Sequence, residues 1–423
     1  MMRGMRAWLG RLHPFQTPAA RRLAGLFAVV YFAQGMWYLP DQAITIVLKE
    51  RGLGAGEVAT FFLVARFTWN VKPLYGLCAD FVPLFGRRRQ SWFWLSSGLA
   101  AAAGLALSLG RRPAYGWLLA GFTTMGLGLA FTDVLTDALM VESGKPLGLT
   151  GAFQAVQWAA ISAASVVSGV VGGRLAETRD LGTTFAVATV FPLVSLGMAL
   201  AFVREPPVAG DPGAVARRTW RAVRAALRDR TVWIVAGFIL FWNFSPSFGP
   251  AMVFYQTDTL HFSQTFIGRL AALGAAGGIA GAVVFAPWVR RRPLRRSVAV
   301  AIGLGTAGTL GYLAYRGPVS AVVIDTLYGA AGMVALLAFL DLAAKTCPRH
   351  VEATFFALLM SVNNVGLGLG QWAGGQLFDR LGFTPLVLIS AAVTASAFLL
   401  LPLVPFEEIA ARAAAGGEAG GGG

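Results

Sequence analysis

The residues of this chain that could do chemistry are charged and polar side chains set inside long apolar segments. Asp41 and Arg66 lie at matching depths, roughly 10–14 Å, in two neighbouring segments that run in opposite directions, taking about 1.5 Å of rise per residue. A charge near the bilayer centre costs about 2.5–3.5 kcal/mol even on lenient scales, so each needs a partner or a role. Two readings stand for this pair: an Asp41–Arg66 ion pair that locks the segments together, or an Arg66 that receives a solute carboxylate and releases Asp41. Asp133 and Asp137 stand four residues apart on one helix face. The deeper Asp133 is read as a solute contact, a proton carrier or a hydrogen-bond partner of a neighbouring helix, with Asp325 a second proton candidate. Asp137 and Glu142, nearer a segment end, are expected to pair with Arg87, Arg88 and Arg89 and, together with Asp80, to form a gate of ion pairs. Trp37, Tyr38, Gln157, Asn243, Phe248, Tyr255, Asn363 and Asn364 are the aromatic and amide groups expected around a solute; the amides serve equally as glue between helices. The chain offers no nucleophile–base pair and no metal-ligand cluster, so no enzyme, metal or cofactor is expected.

These side chains need a membrane to give them meaning. Apolar residues make up 56% of 423 and charged residues 13%, about half the usual charged share of a soluble domain. Twelve segments are long and apolar enough to span: 23–48, 57–79, 91–110, 114–141, 150–173, 183–203, 231–257, 265–289, 297–315, 318–343, 352–378 and 384–404. The 31 Arg and 4 Lys that produce the net charge of +15 fall mostly in short connections, which rejects a nucleic-acid face. With both termini cytoplasmic, 24 of these residues lie inside, 8 outside and 3 within spans, as the positive-inside bias requires. Cys78 and Cys347 fall near cytoplasmic ends, where neither a disulfide nor a metal site is expected.

The longest connection divides the chain: 1–203 is read as a first six-helix half, 204–230 as a cytoplasmic linker, 231–405 as a second half and 406–423 as a disordered Gly-rich tail. Arginines at 217, 221, 224 and 228 place a basic stripe on the linker, suited to anionic lipid headgroups. Gly172-Gly173-Arg-Leu175 recurs as Gly374-Gly375-Gln-Leu377, an offset near half the chain that points to parallel repeats of six helices. Asp137 and Asp341 repeat at a similar offset.

Four segments carry a more specific likeness. They are Lys72-Pro-Leu-Tyr-Gly-Leu-Cys-Ala-Asp80 with Pro83-Leu-Phe-Gly86-Arg-Arg-Arg89, then Asp133-Val-Leu-Thr-Asp137-Ala-Leu-Met-Val-Glu142, then Ser245-Pro-Ser-Phe-Gly-Pro-Ala-Met-Val-Phe-Tyr255 leading into Phe266-Ile-Gly-Arg269, and Cys347-Pro-Arg-His-Val-Glu352-Ala-Thr-Phe-Phe. Together they resemble the folate–biopterin transporters of the major facilitator superfamily. Gly86 follows Asp80 by six residues rather than the three of the general superfamily motif, which favours this family over sugar or drug carriers. The resemblance implies an all-α integral membrane protein with the major facilitator fold, twelve helices in two six-helix halves. It implies a carrier of a small planar anionic solute, folate- or pterin-like, working by alternating access and driven by protons. In that setting Asp133 becomes a candidate acceptor for an amino-pyrimidine edge, and broken-helix residues Pro246, Gly249 and Pro250 a cavity wall or hinge. The expected protein is a monomer of the cell membrane, in contact with lipid and solute. A carrier of another anionic metabolite and a non-transporting scaffold or pigment-assembly factor on the same fold remain as alternatives.

Overall fold

The computed structural model describes residues 14–87, 89–203, 224, 227–289, 292–347 and 352–412. Eight of its helices are long and apolar enough to cross a bilayer, from Pro18–Glu50 through Tyr115–Leu147, Thr150–Thr178 and Leu181–Phe202 to Phe383–Leu403. Four more complete the expected twelve among the described residues: Ala55–Phe81, Gln90–Ser108, Arg230–Thr259 and Glu352–Leu381. Two of these four are interrupted, and the other two carry more Gly, Ser and amide than the rest. They are counted here as spans one to twelve in chain order. Spans begin where side chains satisfy the free N–H groups of a first turn: Thr17 accepts from Ala20, Asp180 from Thr183 and Asp229 from Thr231.

Three spans are broken. The seventh runs Arg230–Asn243, loses its helix over Ser245-Pro246-Ser247, resumes at Gly249–Phe254 and ends in a π-turn, Tyr255–Thr259. The prolines signal that break in the sequence. The first span is interrupted by a 3₁₀ turn at Met36–Tyr38 ahead of Pro40, and the second by a 3₁₀ stretch at Phe67–Val71 ahead of Pro73. Leu39 and Lys72, the residues before these prolines, keep helical backbone angles, so each break reflects the N–H that proline lacks and the crowding of its ring against the preceding turn. Non-helical backbone at such depth survives only where protein or a water-filled cavity shields it.

The repeated glycine pairs explain how the two sets of six spans meet. A methyl group added at Gly173, in span five, would meet Gln264 O and Gly268 Cα of span eight at 2.8 Å; one added at Gly375, in span eleven, would meet Ala55 O of span two at 2.8 Å. Their neighbours behave alike: Gly172 abuts Leu39 of span one, and Gly374 abuts Ser247 of span seven. Span five therefore relates to spans eight and one as span eleven relates to spans two and seven. This is the pseudo-symmetry of parallel six-helix repeats, and only glycine lets the backbones approach so closely. Asp341 does not share in it; it pairs with Lys345 on an exposed helix face.

The end of the bundle where span one begins carries Arg87, Arg89, Arg295 and Arg296, and is called here the basic end; Glu50 marks the far end. Most side-chain bonds that join the two halves, among the described residues, lie toward the far end. Asp379 of span eleven accepts from the N–H groups of Ala55 (3.0 Å) and Gly56 (2.7 Å), capping the first turn of span two from the opposite half. Lys49 pairs with Asp258, Gln42 donates to Gln264 at 2.8 Å, and Glu177 accepts from the N–H of Thr265 at 3.2 Å. Asp379→Ala should weaken this seam by about 1 kcal/mol, the usual worth of a cap. The expected result is several-fold faster labelling of a Ser165→Cys probe by an impermeant thiol reagent from the far side, in a background with Cys78 and Cys347 replaced by serine.

Most of the linker 204–230 (204–223, 225 and 226, with the arginines at 217 and 221) and the tail beyond 412 lie outside the described residues. Residues 406–412, expected to belong to a disordered tail, are instead helical, because Phe406 and Ile409 bury against the second half.

Candidate functional site

The breaks in spans one, two and seven converge on a cavity of about 500 Å³ between the halves. That is an ordinary volume for a small-molecule site. Asp41 sits in the first turn after the break in span one, and Arg66 at the end of the helix before the break in span two, so the two irregular stretches present opposite charges to each other. Arg66 Nη2 donates to Asp41 Oδ2. Its guanidinium lies 4.6 Å from the ring of Phe62 and 5.6 Å from that of Tyr38, and Nη1 reaches Gln371 Oε1 at 3.4 Å. Asp41 Oδ1 and Arg66 Nε are buried without a partner among the described residues. A charged pair with one hydrogen-bonding position unused on each side is poised for a third polar group.

Across the cavity stands Asp325, whose two oxygens each accept a phenol at 2.8 Å, from Tyr312 and from Tyr315. Gln256 in turn donates to the Tyr315 hydroxyl at 2.6 Å. Gln42, Thr45, Ser165, Ser168 and Tyr328 complete the polar lining, between glycines of spans five, eight and ten. Tyr38 remains 53% exposed although it lies near mid-depth, so one aromatic face is open to whatever enters.

Of the residues singled out from the sequence, Tyr38, Asp41, Arg66, Gly249, Pro250 and Asp325 line this cavity. The others are placed elsewhere. Trp37, one residue from Tyr38, turns into the core and stacks on Phe122 at 4.2 Å, because adjacent residues of a 3₁₀ turn point about 120° apart. Phe248 is buried against Tyr312 and Phe383, and Tyr255 lies flat on Phe383 at 3.8 Å with its hydroxyl on Tyr315 O. Asn243 bonds its own helix at Ile239 O, and Asn364 donates to Trp69 O at 3.3 Å with Asn363 beside it. Asn243 thus bonds within its own helix, Asn364 and the rings join neighbouring helices, and none of them lines the cavity.

Asp133 and Asp137 form a second polar centre apart from the cavity. Lys72 pairs with Asp133 Oδ2, and Gln34 donates to Asp133 Oδ1 at 2.5 Å. Asp137 Oδ1 accepts from Tyr31 at 2.5 Å and from Gln157 at 3.1 Å. The expected pairing of Asp137 with the loop arginines is therefore corrected. Asp137 shares the inward face of Asp133, whereas Glu142, five residues on, is rotated about 140° toward the loop. There Glu142 meets Arg89 at 2.5 Å, while Arg87 bonds Gln90. The Asp80 side chain and Arg88 lie outside the described residues. Lys72, Gln34 and Tyr31 were not anticipated as a group. The signal was present in Lys72, a lysine inside an apolar span opposite two aspartates.

A helical bundle with broken spans around a polar cavity, sealed by glycine contacts between two pseudo-symmetric halves, is a membrane protein of the major facilitator fold. A crystal structure of a D-xylose–proton symporter superposes with a TM-score of 0.69 at 13% identity, covering 92% of this chain and 98% of that one, which shows the shared fold. Residues 34–405 match the model of the BT1 family, and the chain belongs to that family. A folate-biopterin transporter of Synechocystis is 31% identical over 409 residues, covering 89% of this chain and 79% of its own. A probable folate-biopterin transporter 4 of Arabidopsis thaliana is 26% identical, covering 85% and 89%. Both relatives bear the names of transporters.

Proposed function

We propose that this protein carries a folate- or pterin-like solute across the cell membrane by proton-coupled alternating access. The observation that carries this reading is the composition of the cavity. Its lining residues bring one cation, Arg66, and two carboxylates, Asp41 and Asp325, together with the exposed ring of Tyr38. A simple polyanion would be repelled by two carboxylates. A flat heterocycle with an amino-pyrimidine edge and a remote carboxylate suits three of these four groups: donors for an aspartate, an anion for the guanidinium, and a face for the tyrosine. The named relatives are folate-biopterin transporters, which favours the same cargo.

The cross-half bonds at Asp379, Lys49 and Gln42 hold the far end shut while Tyr38 stays exposed, which suits a state open toward the basic end. In our reading the basic end is cytoplasmic, residues 1–203 and 231–405 are the two moving halves, residues 204–230 are a cytoplasmic linker, and the carrier works as a monomer. Opening the far end requires those contacts to break and the basic end to close; Arg89–Glu142 is already paired within the first half in this state.

Purified protein in liposomes should accumulate radiolabelled folic acid or a simple pterin when an inward proton gradient is imposed, and collapse of that gradient should release it. No accumulation of either compound, with the protein intact and oriented, overturns the cargo assignment.

A further inference from the structure

The buried charges of the second polar centre do not balance. Lys72 faces two carboxylates, Asp133 and Asp137, one helical turn apart. The titratable and charged groups near them are Tyr31 and Tyr38 from span one and Lys72 from span two; span five contributes the neutral amide of Gln157 and span one that of Gln34. One ammonium against two carboxylates leaves one negative charge in excess inside the membrane, where an uncompensated charge is costly. Gln34, 8% exposed, keeps its Oε1 without a partner beside the same carboxylates. The excess is removed most simply by one bound proton.

Hydrogen-bond geometry says which carboxylate takes it. Asp133 has a donor on each oxygen, Gln34 on Oδ1 and the ammonium of Lys72 on Oδ2, as an ionised carboxylate requires. On Asp137 both donors, Tyr31 and Gln157, converge on Oδ1, and among the described residues Oδ2 receives none. An oxygen accepting two bonds beside one accepting none is the pattern of a carboxylic acid, carbonyl at Oδ1 and hydroxyl at Oδ2. Asp133 is buried, whereas Asp137 is only partly so and lies one turn nearer the basic end. The cavity carboxylates lack this pattern: Asp41 is matched one to one by Arg66, and Asp325 has a phenol on each oxygen.

We propose that Asp137 is the exchangeable proton site of this protein and that Lys72 reads its occupancy. The proton passes from water at the basic end to Asp137 Oδ2, which leaves Lys72 bound to Asp133 alone. When the proton departs to water, Lys72 is drawn toward two carboxylates. Lys72 lies over the Trp69 ring at 4.8 Å, and the N–H of Trp69 donates to Arg66 O at 3.0 Å, so the 3₁₀ stretch Phe67–Val71 joins this centre to the cavity cation. Proton occupancy and the Asp41–Arg66 pair thus act on the two ends of one irregular segment. The proposal rests on the proton-coupled reading above, reassigns Asp137 from a gate to the coupling site, and takes that role from Asp133 and Asp325.

Infrared difference spectroscopy of the full chain in liposomes, between acidic and mildly alkaline pH, tests it without reference to cargo. A carboxylic-acid carbonyl band, sensitive to deuterium exchange, should titrate in the wild type. It should be lost from Asp137→Asn, restored in Asp137→Glu and unchanged in Asp325→Asn. Lys72→Gln removes the only ammonium of the group, so its band should persist to higher pH. A band that survives intact in Asp137→Asn, or that disappears in Asp325→Asn, overturns the proposal. A band that behaves as expected in a protein that accumulates neither folic acid nor pterin keeps the proton site and overturns the cargo alone.

Discussion

Arg66→Ala should abolish accumulation of folic acid and also lower the melting temperature of the purified protein. Two separate losses are involved. The cavity loses the one cation among its lining residues, so its formal charge falls from −1 (Arg66 against Asp41 and Asp325) to −2. Asp41, with its second oxygen already unpartnered, is left buried and unpaired. Breaking a buried pair from one side costs about 3–5 kcal/mol. If about 3 kcal/mol of that is felt by an anionic solute, uptake efficiency falls by roughly a hundredfold. The double variant Arg66→Ala/Asp41→Ala separates the two losses. It removes the stranded carboxylate, so the melting temperature should return toward that of the wild type while uptake stays absent. Arg66→Lys should not rescue fully, because an ammonium cannot hold Asp41, Gln371 and a solute with one planar fork. Full uptake by Arg66→Ala would show that the guanidinium only locks spans one and two.

Gly268→Leu should displace the protein from the state closed at its far end. Even a Cβ at Gly268 would stand 2.3 Å from Gly169 O and 2.6 Å from Gly173 Cα, backbone atoms that cannot turn aside. Overpacking of this kind costs about 1–3 kcal/mol, and here the cost falls on a seam between the halves rather than on the core of either. A shift of that size changes the ratio of two conformers by roughly ten- to a hundredfold. Labelling of the Ser165→Cys probe from the far side should rise accordingly, while helix content and expression stay close to those of the parent. Gly98→Leu is the control, since an added Cβ there meets nothing within 4 Å. Unchanged labelling in Gly268→Leu would mean that spans five and eight do not separate during the cycle.

Both predictions depend on features of unequal legibility. The glycine repeat at 172–173 and 374–375 is visible as a pattern, and it marks both seams between the halves. Which backbone each pair would touch is not visible, because the partners Gly268 and Ala55 lie about a hundred or more residues away and carry no matching signature. Asp41 and Arg66 are legible as a pair, since two charges at equal depth in adjacent antiparallel spans have few other partners. Gln42 and Gln371 stand out in the sequence as polar groups inside apolar spans, whereas Gln256 and Tyr312 are ordinary there and became cavity walls only when spans seven and nine met the others. The breaks in spans one and two were also missed. Pro40 and Pro73 signal them only once a polar cluster is known to shelter the exposed backbone.

Hydrophobic length and local periodicity determined, from the sequence alone, which segments enter the bilayer and that Asp133 and Asp137 share a helix face. These are properties of a single helix in an apolar solvent. The family likeness in the loops and in the fourth, seventh and eleventh spans was equally available from linear order. The tertiary structure decided how each helix is rotated about its axis. That rotation sent Trp37 into the core and Tyr38 into the cavity, and turned Asp137 away from the loop arginines toward Tyr31 and Gln157. The physical reason is that lipid and protein interior are about equally apolar, so hydropathy cannot distinguish the two sides of a spanning helix. Close packing between helices and the pairing of buried charges make that distinction, and both require partners remote in sequence.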